Sequence, residues 1–420
     1  MGKYWNDFRI SVREAVIYVA TMLKWIAFAA LVGVLGGVLG SVFHIGVEMV
    51  TEFRSEHMWL LYLLPVGGVL VALLYRIMKT EGESTNAVIE AVHSGREIPP
   101  RLLPAIFFGT ILSHLFGASV GREGAALQIG GNLGIHVGKF LRLDDKDRRL
   151  ATLCGMSALF SALFGTPLAA SLFSLEVISV GTFYYAGLVP CIVAALVAFG
   201  VSVFFGIAPT RYIVAAPLFD GALLCRVAFL AVLCALLSIV FCKAMHISDH
   251  AAKHFFKNPL LRAAVGGAII IVLTLLVGSY DYNGGGMNII AASFNGEAKP
   301  FAFLWKILFT AVSLGFGFKG GEVVPTFFVG ATFGCMMGSI LGVPVGFAAA
   351  VGLVTVFCGA VNCPIASILL SVELFGAEGI LYFALACAIS YVLSGYCGLY
   401  SSQTILYSKL KAEFINVRTK

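Results

Sequence analysis

From Trp25 to Val47 the chain contains no Asp, Glu, Lys or Arg, a run long enough to cross a hydrocarbon layer about 30 Å thick as one helix. Residues 3–24 are different: Lys3, Asp7, Arg9, Arg13 and Glu14 are interleaved with Ile10, Val12, Val16 and Ile17. This mixture predicts an interfacial amphipathic helix over 1–24, followed by a true span, and no signal-peptide cleavage pattern accompanies it. The span carries stacked small-xxx-small spacings, Gly33/Gly37 and Gly36/Gly40, which let helices approach closely. Further apolar runs at about 59–78, 184–206, 221–245, 263–279, 302–316, 336–360 and 377–396 predict additional long helices. Between them lie shorter pieces broken by glycine.

Composition extends this picture to the whole chain. Of 420 residues, 59% are hydrophobic and 12% charged, against roughly 45–50% and about 25% in soluble domains. An ordinary soluble protein is excluded, and long apolar runs make the class helical rather than barrel. At about 20 residues per span the length allows on the order of a dozen crossings, so 1–420 is expected to be a single membrane unit. The net charge of +6 sits largely in short loops and tails, such as Lys146/Arg148/Arg149 and Lys253/Lys257/Arg262, where it acts as a topology signal. No soluble segment is large enough to gather those charges into a nucleic-acid-binding face. The ten cysteines form no C-x-x-C pair, and His44 and His114 belong to no metal-binding spacing, so neither a metal nor another cofactor is expected.

The broken pieces repeat. Gly82-Glu83-Ser84-Thr85-Asn86-Ala87-Val88-Ile89 is echoed by Gly284-Gly285-Gly286-Met287-Asn288-Ile289-Ile290-Ala291, an offset of 202. Gly121, Gly130 and Gly134 recur as Gly321, Gly330 and Gly334, and Pro167 through Glu176 recurs as Pro364 through Glu373. Three ordered blocks at nearly constant offset divide the chain into halves of about 25–210 and 218–415. Matching glycine-broken segments in two halves are the pattern of a transporter whose site lies at the repeat interface.

Gly121-Arg122-Glu123-Gly124 and Gly320-Gly321-Glu322-Val323-Val324 each turn abruptly into an apolar segment, the signature of a helix N-terminus at membrane depth. Unpaired amides and the positive dipole end there favour an anion without a lysine, which would hold the ion too tightly for passage. Glu123 and Glu322 stand at these same starts. A deprotonated carboxylate there occupies the anion's place, and protonation releases it, coupling a proton to an anion; the plain alternative is helix capping. Glu176 and Glu373, in matching places of the two halves, read as structural acceptors. A membrane-embedded enzyme using Glu123 and Glu322 as acid and base is the remote alternative, since no nucleophile, paired-aspartate or metal motif accompanies them.

These residues resemble the CLC chloride channels and anion/proton exchangers. The Gly-Arg-Glu-Gly run at 121–124, Gly-Gly-Gly-x-Asn-x-Ile at 284–290, Gly-x-Val-x-Pro at 321–325 and Leu399-Tyr400-Ser401 occur in the family's order and span essentially the whole chain. The resemblance implies an all-α polytopic fold of two inverted repeats with broken, re-entrant helices of uneven length. It also implies a homodimer in the cell membrane with cytoplasmic termini and one anion pathway per subunit. Gly121, Arg122 and Gly124 are implied at the anion pathway with Glu123 as the external gate, and Tyr400 as the tyrosine whose hydroxyl points at the central anion, unless it is an interfacial aromatic. Thr85, Asn86, Met287, Asn288, Val323 and Val324 match the remaining anion-binding segments.

The subfamily rests on fewer positions. Exchangers of chloride and protons carry a second glutamate where this chain has Val177, and chloride-type members carry an aliphatic residue where it has Glu322. Glu322, with the Asn86 and Met287-Asn288 segments, resembles the fluoride/proton antiporter branch, so fluoride is the implied ion, with a chloride/proton exchanger or chloride channel as the alternative. Val324, Ala125 and Thr85 depart from that branch's pattern. Phe328 matches a phenylalanine associated with fluoride there, its positive ring edge available to an anion, while a packing role explains it equally. The chain ends about 20 residues after Tyr400, so no appended cytoplasmic domain and no nucleotide regulation are expected.

Overall fold

The computed structural model describes the backbone of residues 2–420 and the side chains from residue 12 onward. The first half contains α1 (Gly2–Glu56), α2 (Leu64–Ile77), α3 (Thr85–Ser94), α4 (Leu102–Phe116), α5 (Glu123–Phe140), α6 (Asp145–Phe164), α7 (Pro167–Glu176) and α8 (Leu188–Phe204). The second contains α9 (Gly221–Phe255), α10 (Pro259–Val277), α11 (Met287–Phe294), α12 (Ala302–Gly315), α13 (Val323–Leu341), α14 (Val345–Val361), α15 (Pro364–Phe375) and α16 (Ile380–Leu393). Eight helices match eight in order, so the glycine blocks of the sequence fall at the starts of α3 and α11 and of α5 and α13. Among the described residues six helical segments are long and apolar enough to span a membrane, and others, such as α4 and α12, are apolar but shorter. The chain is a multi-pass membrane protein with helices of uneven length.

Close approach explains the glycine spacing. A Cβ on Gly33 or Gly37 would collide with α8 at Val197 or Val201, while one on Gly36 or Gly40 would strike Ala158 or Ala162 of α6. The two interleaved pairs thus seat α1 against two different helices. The contact of α5 with α6 is tighter still, because a side chain on Gly130 would overlap the carbonyl of Gly155. Gly330 and Gly352 repeat that arrangement between α13 and α14.

Three elements differ from the sequence reading. No break separates an interfacial helix over 1–24 from the first span: α1 is one helix of 55 residues, about 80 Å at 1.5 Å per residue. No proline or glycine falls between residues 3 and 32 to stop it, so the change from mixed to apolar sequence marks a change of surroundings and not of conformation. Val12 through Leu23 are exposed, and the side chains of Lys3, Asp7, Arg9 and Ile10 lie outside the described residues. The apolar run at 336–360 is two helices, ended by Gly342 at φ +64° and restarted after Pro344. A small three-stranded sheet also joins the helices. Ser179–Val180 (β1) pairs in parallel with Thr404–Tyr407 (β2), which pairs antiparallel with Phe414–Arg418 (β3), tying the segment after Tyr400 to the end of α7.

Glu176 and Glu373 cross-brace the halves. Glu176 accepts from the amides of Ile365 and Ala366 at 3.2 and 2.8 Å, and Glu373 from those of Leu168 and Ala169 at 2.9 and 2.8 Å. Each carboxylate thus satisfies orphan donors in the first turn of the other repeat's helix.

Candidate functional site at the crossing of the repeats

The two extended segments before α5 and α13 meet antiparallel. Gly121 N–H donates to Gly321 O at 2.7 Å, and Gly321 N–H donates to Gly121 O at 2.6 Å. Only glycine fits here: a Cβ on Gly124 would lie 2.7 Å from Gly321 Cα, and one on Gly121 would lie 2.9 Å from Val324 Cβ. Both helices therefore begin within one crossing, and their unpaired N-terminal amides lie close together.

The carboxylates are placed around this crossing. Glu123 is the first residue of α5 and is fully buried. Its Oε2 accepts from the amide of Arg122 at 3.1 Å, the Arg122 Nε lies 3.5 Å from Oε1, and Oε1 has no hydrogen-bond partner. Glu123 thus sets a carboxyl group with one unpartnered oxygen at the start of α5. Glu322 is the N-cap of α13 and is half-buried; its Oε2 would lie 3.1 Å from a Cβ on Gly124. Tyr400 is buried, and its hydroxyl faces the Glu322 carboxylate with no hydrogen-bond partner of its own.

A cavity of about 880 Å³ ends on the Glu123 side, with Gly121, Arg122, Met287, Asn288 and Val324 in its wall. Thr85 and Asn86 are not in that wall. Thr85 is buried at the start of α3, its hydroxyl accepting from Gln128 Nε2 at 3.1 Å, and Asn86 Oδ1 accepts from the amide of Ser402 at 3.0 Å. Asn86 thus links the start of α3 to the segment carrying Tyr400. Val323 is buried in the first turn of α13. Phe328 is also buried, its ring edge against the Gly286 backbone and the Lys306 ammonium 5.1 Å from its ring centre.

Lys306 was missed in the sequence reading. It is fully buried and donates to the carbonyls of Tyr282 and Gly284 at 3.2 and 2.6 Å, holding the loop that leads to Met287 and Asn288. Arg54 reaches the same loop from the other side and donates to His114 O at 3.0 Å. The signal was present: Lys306 interrupts the apolar run 302–316, and an ionisable residue at membrane depth is a functional hypothesis in itself. A lysine therefore stands behind the loop that borders the cavity, its ammonium turned onto backbone carbonyls. Among the described residues no three His, Cys, Asp or Glu side chains cluster as metal ligands.

Comparison with known proteins places this geometry. The sequence profile of the family described as Voltage gated chloride channel matches residues 67–395. A chloride/fluoride channel protein of Pseudomonas syringae pv. tomato is 40% identical over 396 residues, covering 92% of this chain and 87% of its own. An H(+)/Cl(-) exchange transporter of Vibrio vulnificus is 26% identical over 387 residues, covering 84% and 83%. The crystal structure of a CLC-type fluoride/proton antiporter superimposes with a TM-score of 0.89 at 29% identity, covering 91% of this chain and 98% of that one. Two inverted halves crossing at Gly121 and Gly321, each crossing segment opening a helix that carries a glutamate at its start, are thus the work of a CLC anion transporter, and the chain belongs to the CLC family of voltage gated chloride channels and their transporter relatives.

Proposed function

We propose that the protein exports fluoride in exchange for protons, working as a homodimer in the cell membrane with one pathway per subunit and its termini on the cytoplasmic side. The observation that carries this reading is the placement of Glu123 and Glu322 at the starts of the two helices whose leading segments cross at Gly121 and Gly321. The Pseudomonas syringae relative and the fluoride/proton antiporter of similar fold support fluoride as the ion.

In this mechanism the Glu123 carboxylate fills the anion's place at the start of α5 until it takes up a proton. The neutral side chain leaves, the cavity bounded by Arg122 and Asn288 becomes continuous with the crossing, and a fluoride ion takes the vacated amides. Glu322 passes the proton onward beside Tyr400, a task needed because Val177 is a buried aliphatic residue where chloride/proton exchangers of the family carry an acid. Gly121, Gly124, Val323 and Val324 supply close backbone, Met287 and Asn288 line the outer cavity with Phe328 packed behind them against Gly286, and Thr85, Asn86 and Tyr400 are assigned in this mechanism to the inner stretch. Binding from dipoles and amides stays weak enough for release.

Val177 also favours a second reading, a chloride channel that moves no protons. Purified protein in liposomes loaded with equal fluoride and chloride separates the two. Fluoride leaving much faster than chloride supports the proposal, and chloride leaving faster rejects it. Cross-linked dimers with one inactivated subunit should keep about half the flux, and complete loss would reject independent pathways.

A further inference from the structure

We propose that a cavity of about 420 Å³ between the end of α3, the start of α6 and the turn after α7 binds the phosphate-bearing headgroup of an anionic membrane phospholipid. Its polar end is formed by His93, Lys146 and Arg149, and no Asp or Glu lines it. Neither Lys146 nor Arg149 makes a salt bridge or side-chain hydrogen bond among the described residues, and the Arg149 Nε is buried without a partner. Their neighbours are spoken for: Asp147 binds Lys24, and Asp145 pairs with Arg148. Arg149 also borders the neighbouring cavity, where Glu97 and Asp145 are engaged by Lys139 and Arg148, so two cations without partners line an acid-free cavity that calls for an anion, and an arginine suits the oxygens of a phosphate.

The opposite wall decides the kind of anion. It is apolar, with Leu175, Ile178 and Phe183, and opens beside Tyr184, which is half exposed. A free phosphate gains nothing from those side chains, whereas the glycerol and first acyl carbons of a lipid bury against them. Lys139, Arg142, Lys146, Arg148 and Arg149 cluster where α5 turns into α6, which the basic-loop bias assigns to the cytoplasmic end of the spans. Basic pockets between helices on that side are suited to lipid headgroups. The site also adjoins the transport machinery, since Ser179 in the cavity wall lies in β1, whose pair β2 begins four residues after Tyr400. This inference does not depend on which anion the protein transports.

The test uses delipidated full-length protein in detergent, titrated with short-chain phosphatidylglycerol, short-chain phosphatidylcholine or inorganic phosphate, and read by native mass spectrometry. Phosphatidylglycerol should bind the wild type in preference to phosphatidylcholine. The Lys146→Gln/Arg149→Gln double variant should weaken phosphatidylglycerol binding about 30-fold, the effect expected of two basic contacts. Lys253→Gln/Lys257→Gln, at the far end of α9, should leave it unchanged. Equal binding of the two lipids to the wild type overturns the proposal without recourse to any variant. So does unchanged binding by the double variant, and so does inorganic phosphate binding as well as the lipid, which makes this a soluble-anion site.

Discussion

Alanine at position 124 places a methyl carbon 2.7 Å from Gly321 Cα and 3.1 Å from Glu322 Oε2, where carbon atoms rest at about 3.5–4.0 Å. The clash is with backbone, so α5 and α13 must part by about 1 Å to relieve it. That movement stretches the paired hydrogen bonds of Gly121 and Gly321, now 2.7 and 2.6 Å, beyond useful length, and overpacking of this kind costs about 1–3 kcal/mol. The penalty in transport is larger, because Glu123 and Glu322 ride on the two segments being separated. Misplacing reacting groups by about 1 Å lowers rates about 100-fold. Gly124→Ala should therefore melt a few degrees lower in detergent while losing about 100-fold of its fluoride efflux, measured with a fluoride electrode on liposomes. Gly221→Ala, where nothing lies within 4 Å of the added carbon, is the control and should match the wild type in both. Wild-type efflux from Gly124→Ala would refute the claim that this crossing holds the two carboxylates in register.

Glu123→Gln should keep anion flux and lose proton movement, read by recording external pH during efflux; retained coupling would remove the gate from this residue. Lys306→Met leaves the carbonyls of Tyr282 and Gly284 buried without their donor, which should cost about 1–3 kcal/mol per group, visible as a lowered melting temperature. Lys306→Arg, keeping a donor, should recover part of it. Glu373→Ala removes two charged hydrogen bonds to α7 and should destabilise the protein by about 3 kcal/mol or more, with ion selectivity unchanged in whatever protein survives.

Much of this fold was legible because its signals are local. Apolar runs map onto α2, α8, α9, α10, α12 and α16, and the glycine blocks map onto helix starts because close backbone crossings tolerate no other residue. What escaped depended on a few residues inside a longer pattern. Averaged hydropathy hid the turn at Gly342-Val343-Pro344 within an apolar run, and charge at the start of α1 suggested a break that only proline or glycine would have made. The strand at 404–407 pairs with residues more than 220 positions away in β1, a partnership invisible to local periodicity, and the strand at 414–418 then pairs with it. Lys306 was concealed by its apolar neighbours, although its charge alone marked it. Glu123 and Glu322 were identifiable as a pair through the repeat, but their meeting needed the antiparallel contact of Gly121 with Gly321.

The central claim is that protons taken up at Glu123 pass onward by way of Glu322 as fluoride leaves. Simultaneous fluoride and pH recordings on liposomes containing Glu322→Gln, beside the wild type, address it most directly. The wild type should move protons opposite to fluoride, and the variant, folded and dimeric by gel filtration, should show no coupled exchange. Full proton-driven fluoride transport by Glu322→Gln would contradict the account and leave a chloride-type transporter as the better description.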